Sequence, residues 1–378
     1  MGEGIDQTYL IGYNEITIFV AQKSQGLKLT SSSIDYNPLH FTAGYIVNVD
    51  DTFLDVQVVP PHQTDVGRQV QAILRYDPTQ KRPAFGSDTY EIYQTPPTDR
   101  NTTLVESGII RLPLSSRTQF RKGDPVVVRY GFRGHTIYVE DSTDLSVESI
   151  TIYTSWGMGF FIVRARHLQV KNSDVFINFD VGTNLEFSSN QEPFVVHGNG
   201  LVASISSTNS SDSRKISFTN PVNVNVNDWA CGTDTPLLTI RNFTVVNNRA
   251  RGVLLETRNI DIRQSLFYRT SGPAVLIQPS MYWHEGPEAR NVSLIGNIYM
   301  ENNEGIAQGK GVITILPDPV DLIPIINDIR IESSSFYLGL SSQGLLQSDN
   351  MNSLHLTGNY IATNMSTPLI SICNSRNI

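Results

Sequence analysis

No run of 18 apolar residues occurs in this sequence, so no segment is read as crossing a membrane as a helix. Its start, MGEGIDQTYL, has none of the apolar character of a secretory leader, so no signal peptide is expected in this chain. Cysteine is scarce: Cys231 and Cys373 are the only two in 378 residues. They lie far apart, match no metal-ligand spacing, and read as buried or unpaired thiols. Charged residues make up 17% of the chain and the net charge is -8. A nucleic-acid partner calls for a basic surface, so that class is excluded. There is no Gly-x-Ser-x-Gly elbow and no phosphate-cradling Gly-rich loop, which removes support for serine hydrolases and P-loop enzymes. No close acidic cluster suits calcium, because Asp50-Asp51 reads as a hairpin turn. No metal and no cofactor are expected.

What is present is a repeat. Leu238-Thr239-Ile240 recurs as Ile260-Asp261-Ile262 after 22 residues, and as Val292-Ser293-Leu294 after one more period plus about ten inserted residues. A second strand repeats in step, Val253-Leu254-Leu255 and Val275-Leu276-Ile277. Leu145-Ser146-Val147 and Leu168-Gln169-Val170, then Ile329-Arg330-Ile331 and Leu354-His355-Leu356, extend the pattern. Short β-rich segments at this period, with Gly and Asn at the bends, predict an all-β chain. The expected fold is a right-handed parallel β-helix, a solenoid of the pectate-lyase kind, with about eight coils. Each coil buries one apolar face, and stacking makes that face continuous. The outer face is left free for long grooves that suit linear or branched polymers. Asn172, Asn242, Asn297 and Asn359 follow strand starts and are expected to form a partial Asn ladder.

The period breaks twice. Residues 1–43 read as the first coil or coils, with strands at Ile16–Ile18 and Leu27–Leu29 and the coil ending at Ser33–Pro38. Residues 44–130 read as an inserted antiparallel β-barrel or sandwich, with a hairpin around Asp50-Asp51 and the turn Lys122-Gly123-Asp124 feeding Pro125–Arg129. The β-helix then occupies 131–378, with a smaller β insertion near 176–236.

Several phrases in this order resemble the family 110 glycoside hydrolases. The sharpest are Asn248–Arg258, Ser271–Ile277 and Tyr282-Trp283-His284-Glu285-Gly286-Pro287. Ile34-Asp35-Tyr36, Tyr76-Asp77-Pro78, Lys122-Gly123-Asp124 and Gly157-Met158-Gly159 fall in the same order upstream. The resemblance covers roughly residues 30–310. It implies an α-1,3-galactosidase on a right-handed β-helix with barrel-like insertions. One departure stands out. The family carries adjacent aspartates just before the phrase that reads Val195-Val196-His197-Gly198 here, and this chain has Gln191-Glu192 in their place. The preceding coil, Phe179–Asn190, is also short.

Inverting glycoside hydrolysis needs two carboxyl groups roughly 6.5–9.5 Å apart, one to protonate the leaving oxygen and one to activate water. Glu285 is the first candidate, because the preceding Trp283 and His284 can stack on a sugar and desolvate the carboxyl. Glu192 is the carboxylate nearest the missing aspartate pair. Trp283 suits a platform for a galactose-like ring. His284, His197, Arg251, Glu256 and Asp180 are candidates for holding sugar hydroxyls. Each of these residues also has a purely structural reading: a loop glutamate, a packed tryptophan, a hydrogen-bonded histidine or an ion-paired arginine. The expected function is therefore an exo-acting glycosidase for terminal α-linked galactose, with an oligosaccharide or glycan as its partner. The alternative is a non-catalytic glycan-binding or structural β-helix. The carbohydrate reading places the protein outside the cytoplasm. Five sequons, at Asn101, Asn209, Asn242, Asn291 and Asn364, add weakly to that expectation.

Overall fold

A computed structural model describes residues 7–13, 16–39, 41–79, 84, 92–93, 101–114, 120–130, 134–155, 158–163, 165–176, 184–188, 194–197, 201–203, 205–208, 216–218, 229–232, 238–248, 251–279, 289–305, 311–317, 326–339, 342, 344–364 and 369–378. Of residues 92–93, 163, 175–176 and those described between 184 and 232, it describes the backbone alone. Among the described residues there are strands and no α-helix.

The strands wind into a parallel β-helix. One coil consists of Arg258–Arg263, Leu266–Tyr268 and Val275–Ile277. The next consists of Ala289–Ile295, Ile298–Met300 and Ile313–Ile315. They pair in parallel, with Ile260 opposite Val292, Phe267 opposite Tyr299 and Val275 opposite Ile313. The third strand of every coil joins a nine-stranded sheet. The first and second strands merge into a fifteen-stranded sheet, because Thr143–Ile152 serves as both in its coil. The right-handed sense is the one that twisted parallel strands take at a crossover. Inside, the alternation of each strand delivers Ile260, Ile262, Phe267, Val275 and Ile277 to one apolar core that runs the length of the stack. Phe267, Tyr299 and Phe336 stack along it at centroid spacings of 5.4 and 4.8 Å.

The bend between first and second strands has one length. In the six coils from Arg166 onward it is always two residues: 172–173, 242–243, 264–265, 296–297, 333–334 and 358–359. The first of each pair has a left-handed backbone, with φ from 49 to 65°. Asn, Gln, Ser and Gly fill that position, the small or polar types that best bear it. The second of each pair points inward, and from 265 onward it is Ser or Asn. The expected Asn ladder thus splits in two. Asn242 donates to Asn172 Oδ1 at 3.0 Å in the left-handed position. Asn297 and Asn359 sit one residue later and serve a buried ladder instead. Ser265 N–H donates to Asn297 Oδ1, Asn297 N–H to Ser334 Oγ and Ser334 N–H to Asn359 Oδ1, at 2.9 to 3.1 Å. Two sequons also supply ladder rungs, since Asn242 and Asn291 give their Nδ2 to Asn172 and Asn259.

The first coils differ in detail from the sequence pattern. The strand lies at Phe19–Gln22 rather than Ile16–Ile18. The next runs as Lys28–Tyr36, nine residues, because Ser31 at φ 55° bends it without ending it. Between Tyr36 and Ile137 the chain leaves the stack and forms a seven-stranded antiparallel sheet. Phe41–Val49 and Phe53–Val58 form its hairpin, and Pro125–Arg129 its central return strand. Ile46, Leu54, Val56, Ile110, Leu112 and Val128 share one core on one side of that sheet. A second short departure pairs Phe194–His197 with Leu201–Ala203 and Trp229–Gly232.

His135 closes the corner where the chain re-enters the stack. Its ring lies 4.4 Å from that of Phe161 at 11°, and its Nδ1 accepts the Met158 N–H at 3.3 Å. Burial pushes its pKa down to about 4. The unfolded imidazole titrates near 6.5, so the unfolded chain takes up the proton first. Stability from this group is full above about pH 6.5 and is lost as pH falls toward about 4. A His135→Phe variant keeps a ring in the stack and removes the titration. Its unfolding free energy, from urea melts, should fall less than that of the wild type between about pH 7 and pH 5. His62, held below its usual value by burial, leaves some slope in both proteins. Equal slopes would refute the assignment.

Candidate functional site

Of the residues singled out by the sequence, Glu285, Glu192, Trp283, His284 and Asp180 lie outside the described residues. His197 is placed by its backbone, opposite Trp229 on the short antiparallel sheet. Arg251 and Glu256 are described fully and are not brought together. They stand beyond and at opposite ends of the strand Val253–Glu256, five residues apart, so roughly 16 Å of extended chain separates them. Arg251 belongs to the corner between second and third strands, where its carbonyl accepts from Asn248 Nδ2 at 2.8 Å. Glu256 belongs to the corner between third and first strands.

That last corner organises the candidate site. Glu256, Thr257 and Arg258 turn it in three residues and are buried, at 1, 7 and 7% exposure. Carboxylate, hydroxyl and guanidinium are thus each withdrawn from solvent at this corner. Ser188 lies opposite Glu256 on the preceding coil, and Leu255 lies opposite Ile277 on the following one. The described chain stops at Ser188 before the segment carrying Glu192, and at Pro279 before the segment carrying Glu285. Neighbouring strands lie about 4.8 Å apart, so these two ends are about 10 Å apart with Glu256 between them.

Beside this corner runs the outer face of the first strands. Register places Gln169, Thr239, Asp261, Ser293, Arg330 and His355 in one row, one residue per coil. Five steps of about 4.8 Å make the row roughly 24 Å long. Every member is polar. At its centre Asp261 accepts from Arg263 Nε at 2.6 Å and from Arg241 Nη2 at 3.4 Å. The outer face of the third sheet differs. Leu254 and Leu276 lie outside the core cluster, yet are 5 and 0% exposed, so that face is covered at these coils.

The sequence reading missed Thr257, Arg258 and the Arg241–Asp261–Arg263 group. The signal for Asp261 was available, since Ile260-Asp261-Ile262 alternates and must present Asp261 outward. Nothing in the sequence marks Thr257 and Arg258 as buried. Among the described residues no three His, Cys, Asp or Glu side chains are grouped to hold a metal. None of the described segments is a helix long and apolar enough to cross a membrane.

No protein-family model matches the chain, and no curated protein does. Among solved structures, a double mutant of the tailspike protein of E. coli bacteriophage HK620 is 12% identical, over 63% of this chain and 43% of that one, with a TM-score of 0.28. The catalytic unit of a GH87 α-1,3-glucanase from Streptomyces thermodiastaticus is 9% identical, over 88% of this chain and 98% of that one, with a TM-score of 0.27. The tailspike gp61 of Pseudomonas phage phi297 is 13% identical, over 96% and 69%, with a TM-score of 0.20. The chain spans less than half the length of the HK620 tailspike it matches. The class, a parallel β-helix, stands on the strand registers above.

Asp261 is 8% exposed, and its two arginine partners are about half exposed. Solvent screens the arginines, so the pairing is worth about 1 kcal/mol. Asp261→Ala should lower the urea midpoint correspondingly without changing the m-value. An unchanged midpoint would show that the arginines need no partner.

Proposed function

We propose that this β-helix acts on glycans and, more narrowly, that it is an exo-acting glycosidase removing terminal α-linked galactose, similar to the family 110 α-1,3-galactosidases. The observation that carries this reading is the shared corner. The strands that precede the segments bearing Glu192 and Glu285 end about 10 Å apart, on either side of buried Glu256. Two carboxyls on arms rooted at that spacing can meet the roughly 6.5–9.5 Å required for inversion. The long polar row beside the corner suits a chain of sugars, whose hydroxyls exchange hydrogen bonds with amide, hydroxyl, guanidinium and imidazole groups.

In this reading Glu285 is the acid. It gives its proton to the glycosidic oxygen as the bond from that oxygen to the anomeric carbon breaks. Glu192 is the base. It takes a proton from water as the water oxygen bonds to the anomeric carbon from the opposite face. The products are galactose of inverted configuration and the shortened alcohol. Trp283 carries the ring; His284, His197, Glu256 and Asp180 are the groups available to its hydroxyls, and Arg251, about 16 Å along the chain from Glu256, would serve another sugar. We place the protein outside the cytoplasm, where such glycans occur.

Gln191-Glu192 favours a second reading, a glycan-binding β-helix without turnover. Glutamate is one methylene longer than the aspartate it replaces. A displacement of about 1 Å can cost roughly 10²-fold in rate. The test is incubation with α-1,3-galactosyl oligosaccharides beside Glu285→Gln. Galactose release by the wild type, reduced by about 10²-fold or more in the variant, supports the glycosidase. Binding without release, abolished by Trp283→Ala, supports the second reading. Neither release nor binding overturns both.

A further inference from the structure

A cleft of about 390 Å³ lies where the inserted antiparallel sheet meets the first coils of the helix. Leu39, Val59, Pro61 and Val126 give it apolar walls, and Tyr45 and Tyr153 also line it. Two polar groups in it have unused capacity. Asp35 receives the Tyr36 N–H at 2.8 Å and the Thr154 hydroxyl at 2.6 Å, both at Oδ1. Its Oδ2 has no hydrogen-bond partner among the described residues. His62 sets its Nδ1 3.2 Å from the Phe41 carbonyl. A carbonyl only accepts, so Nδ1 carries the proton and Nε2 is left as an acceptor. Burial holds this imidazole below its usual pKa, which keeps it neutral near pH 7.

The cleft thus offers a carboxylate oxygen and an imidazole nitrogen, both acceptors, between apolar and aromatic walls. No lysine or arginine is among its described lining residues. An anion is disfavoured there by charge. A free sugar would bring many hydroxyls into walls that cannot answer them, at a desolvation cost for each. A small organic ammonium fits each feature. Its N–H groups meet the two acceptors, its charge meets Asp35, and its apolar body takes the walls and tyrosine rings. The volume falls within the range of small-molecule sites.

We propose that the cleft between the inserted sheet and the first coils, with Asp35 and His62 as its acceptors, is a binding site for a small primary amine with an apolar body. It is separate from the corner of Glu256 and does not depend on glycan turnover.

The experiment titrates the full chain at about pH 7 with 2-phenylethylammonium, with 2-phenylethanol as the neutral match and D-galactose as the sugar control, read by calorimetry or NMR. The amine should bind saturably and at least tenfold more tightly than the alcohol. Asp35→Asn keeps Oδ1 for Tyr36 and Thr154 and replaces only the free oxygen. It should weaken the amine at least tenfold while leaving the melting temperature of the protein unchanged. His62→Phe keeps a ring against Phe41 and removes the second acceptor, so it should weaken binding as well. No saturable amine binding overturns the proposal. So does equal binding of the alcohol, which would mark a merely apolar cleft, tighter binding of galactose, or amine binding unchanged in a folded Asp35→Asn protein. The amine and alcohol comparison decides the matter in the wild type even if a variant does not fold.

Discussion

Backbone N–H groups buried at a bend must find acceptors, and the bend between first and second strands is where this chain answers that demand. The strand ladder stops there, yet the residue after the left-handed turn points into the core. Its N–H is met by a side-chain oxygen from the next coil. Ile150 uses Ser173, Phe243 uses Ser265, and Ser265, Asn297 and Ser334 continue the series to Asn359. The serines return their own protons two residues back, to Lys171, Arg263 and Glu332 carbonyls. Each rung contributes about 1 kcal/mol, and an unmet buried N–H costs about 1–3 kcal/mol. Because each rung belongs to two coils, one added residue would dislocate both. The bend therefore keeps its two-residue length through six coils.

Side chains also bridge coils at the other two corners, as Thr270 N–H to Asn302 Oδ1 and Ser24 N–H to Ser142 Oγ show, but there the length of the connection varies. The connection from third to first strand takes one residue after Glu256 and 11 between Ile277 and Ala289. It takes 49 between Ser188 and Leu238. The inserted antiparallel sheet departs at the remaining corner, after Tyr36. Loop length costs little entropy as it grows, so a corner whose length is not fixed from coil to coil can carry almost any insertion. The large departures thus sit at two edges of the stack, while the bend between first and second strands stays short.

The same constraint explains what the sequence disclosed. Leu238, Ile240, Ile260 and Ile262 repeat at 22 residues because that coil has no insertion, and the structure pairs those residues. The longer spacings at Val292 and Leu354 follow the lengths of corner connections and still keep strand register. The ladder was harder to read. Asn is suited both to a left-handed backbone and to a buried amide bridge, so Asn242 and Asn297 look alike in sequence while occupying adjacent positions with different tasks. The cleft of Asp35 and His62 was not legible at all. Asp35 and Thr154 are 119 residues apart, and only the return of the chain from the inserted sheet brings them to a hydrogen bond.

Of the candidate site, the sequence nominated the segments, and the registers add which strands they are attached to. Glu192 and Glu285 are 93 positions apart in the sequence, yet the strands that precede them are separated by a single coil. The faces on either side of that corner then differ for a physical reason. Outward positions on the third strands carry Leu254 and Leu276, whose burial removes apolar surface from water and closes that side. Outward positions on the first strands carry Thr239, Asp261, Ser293 and Arg330, polar side chains that offer hydrogen bonds instead. Alternation within single strands thus sets the chemical difference between the two sides at these coils.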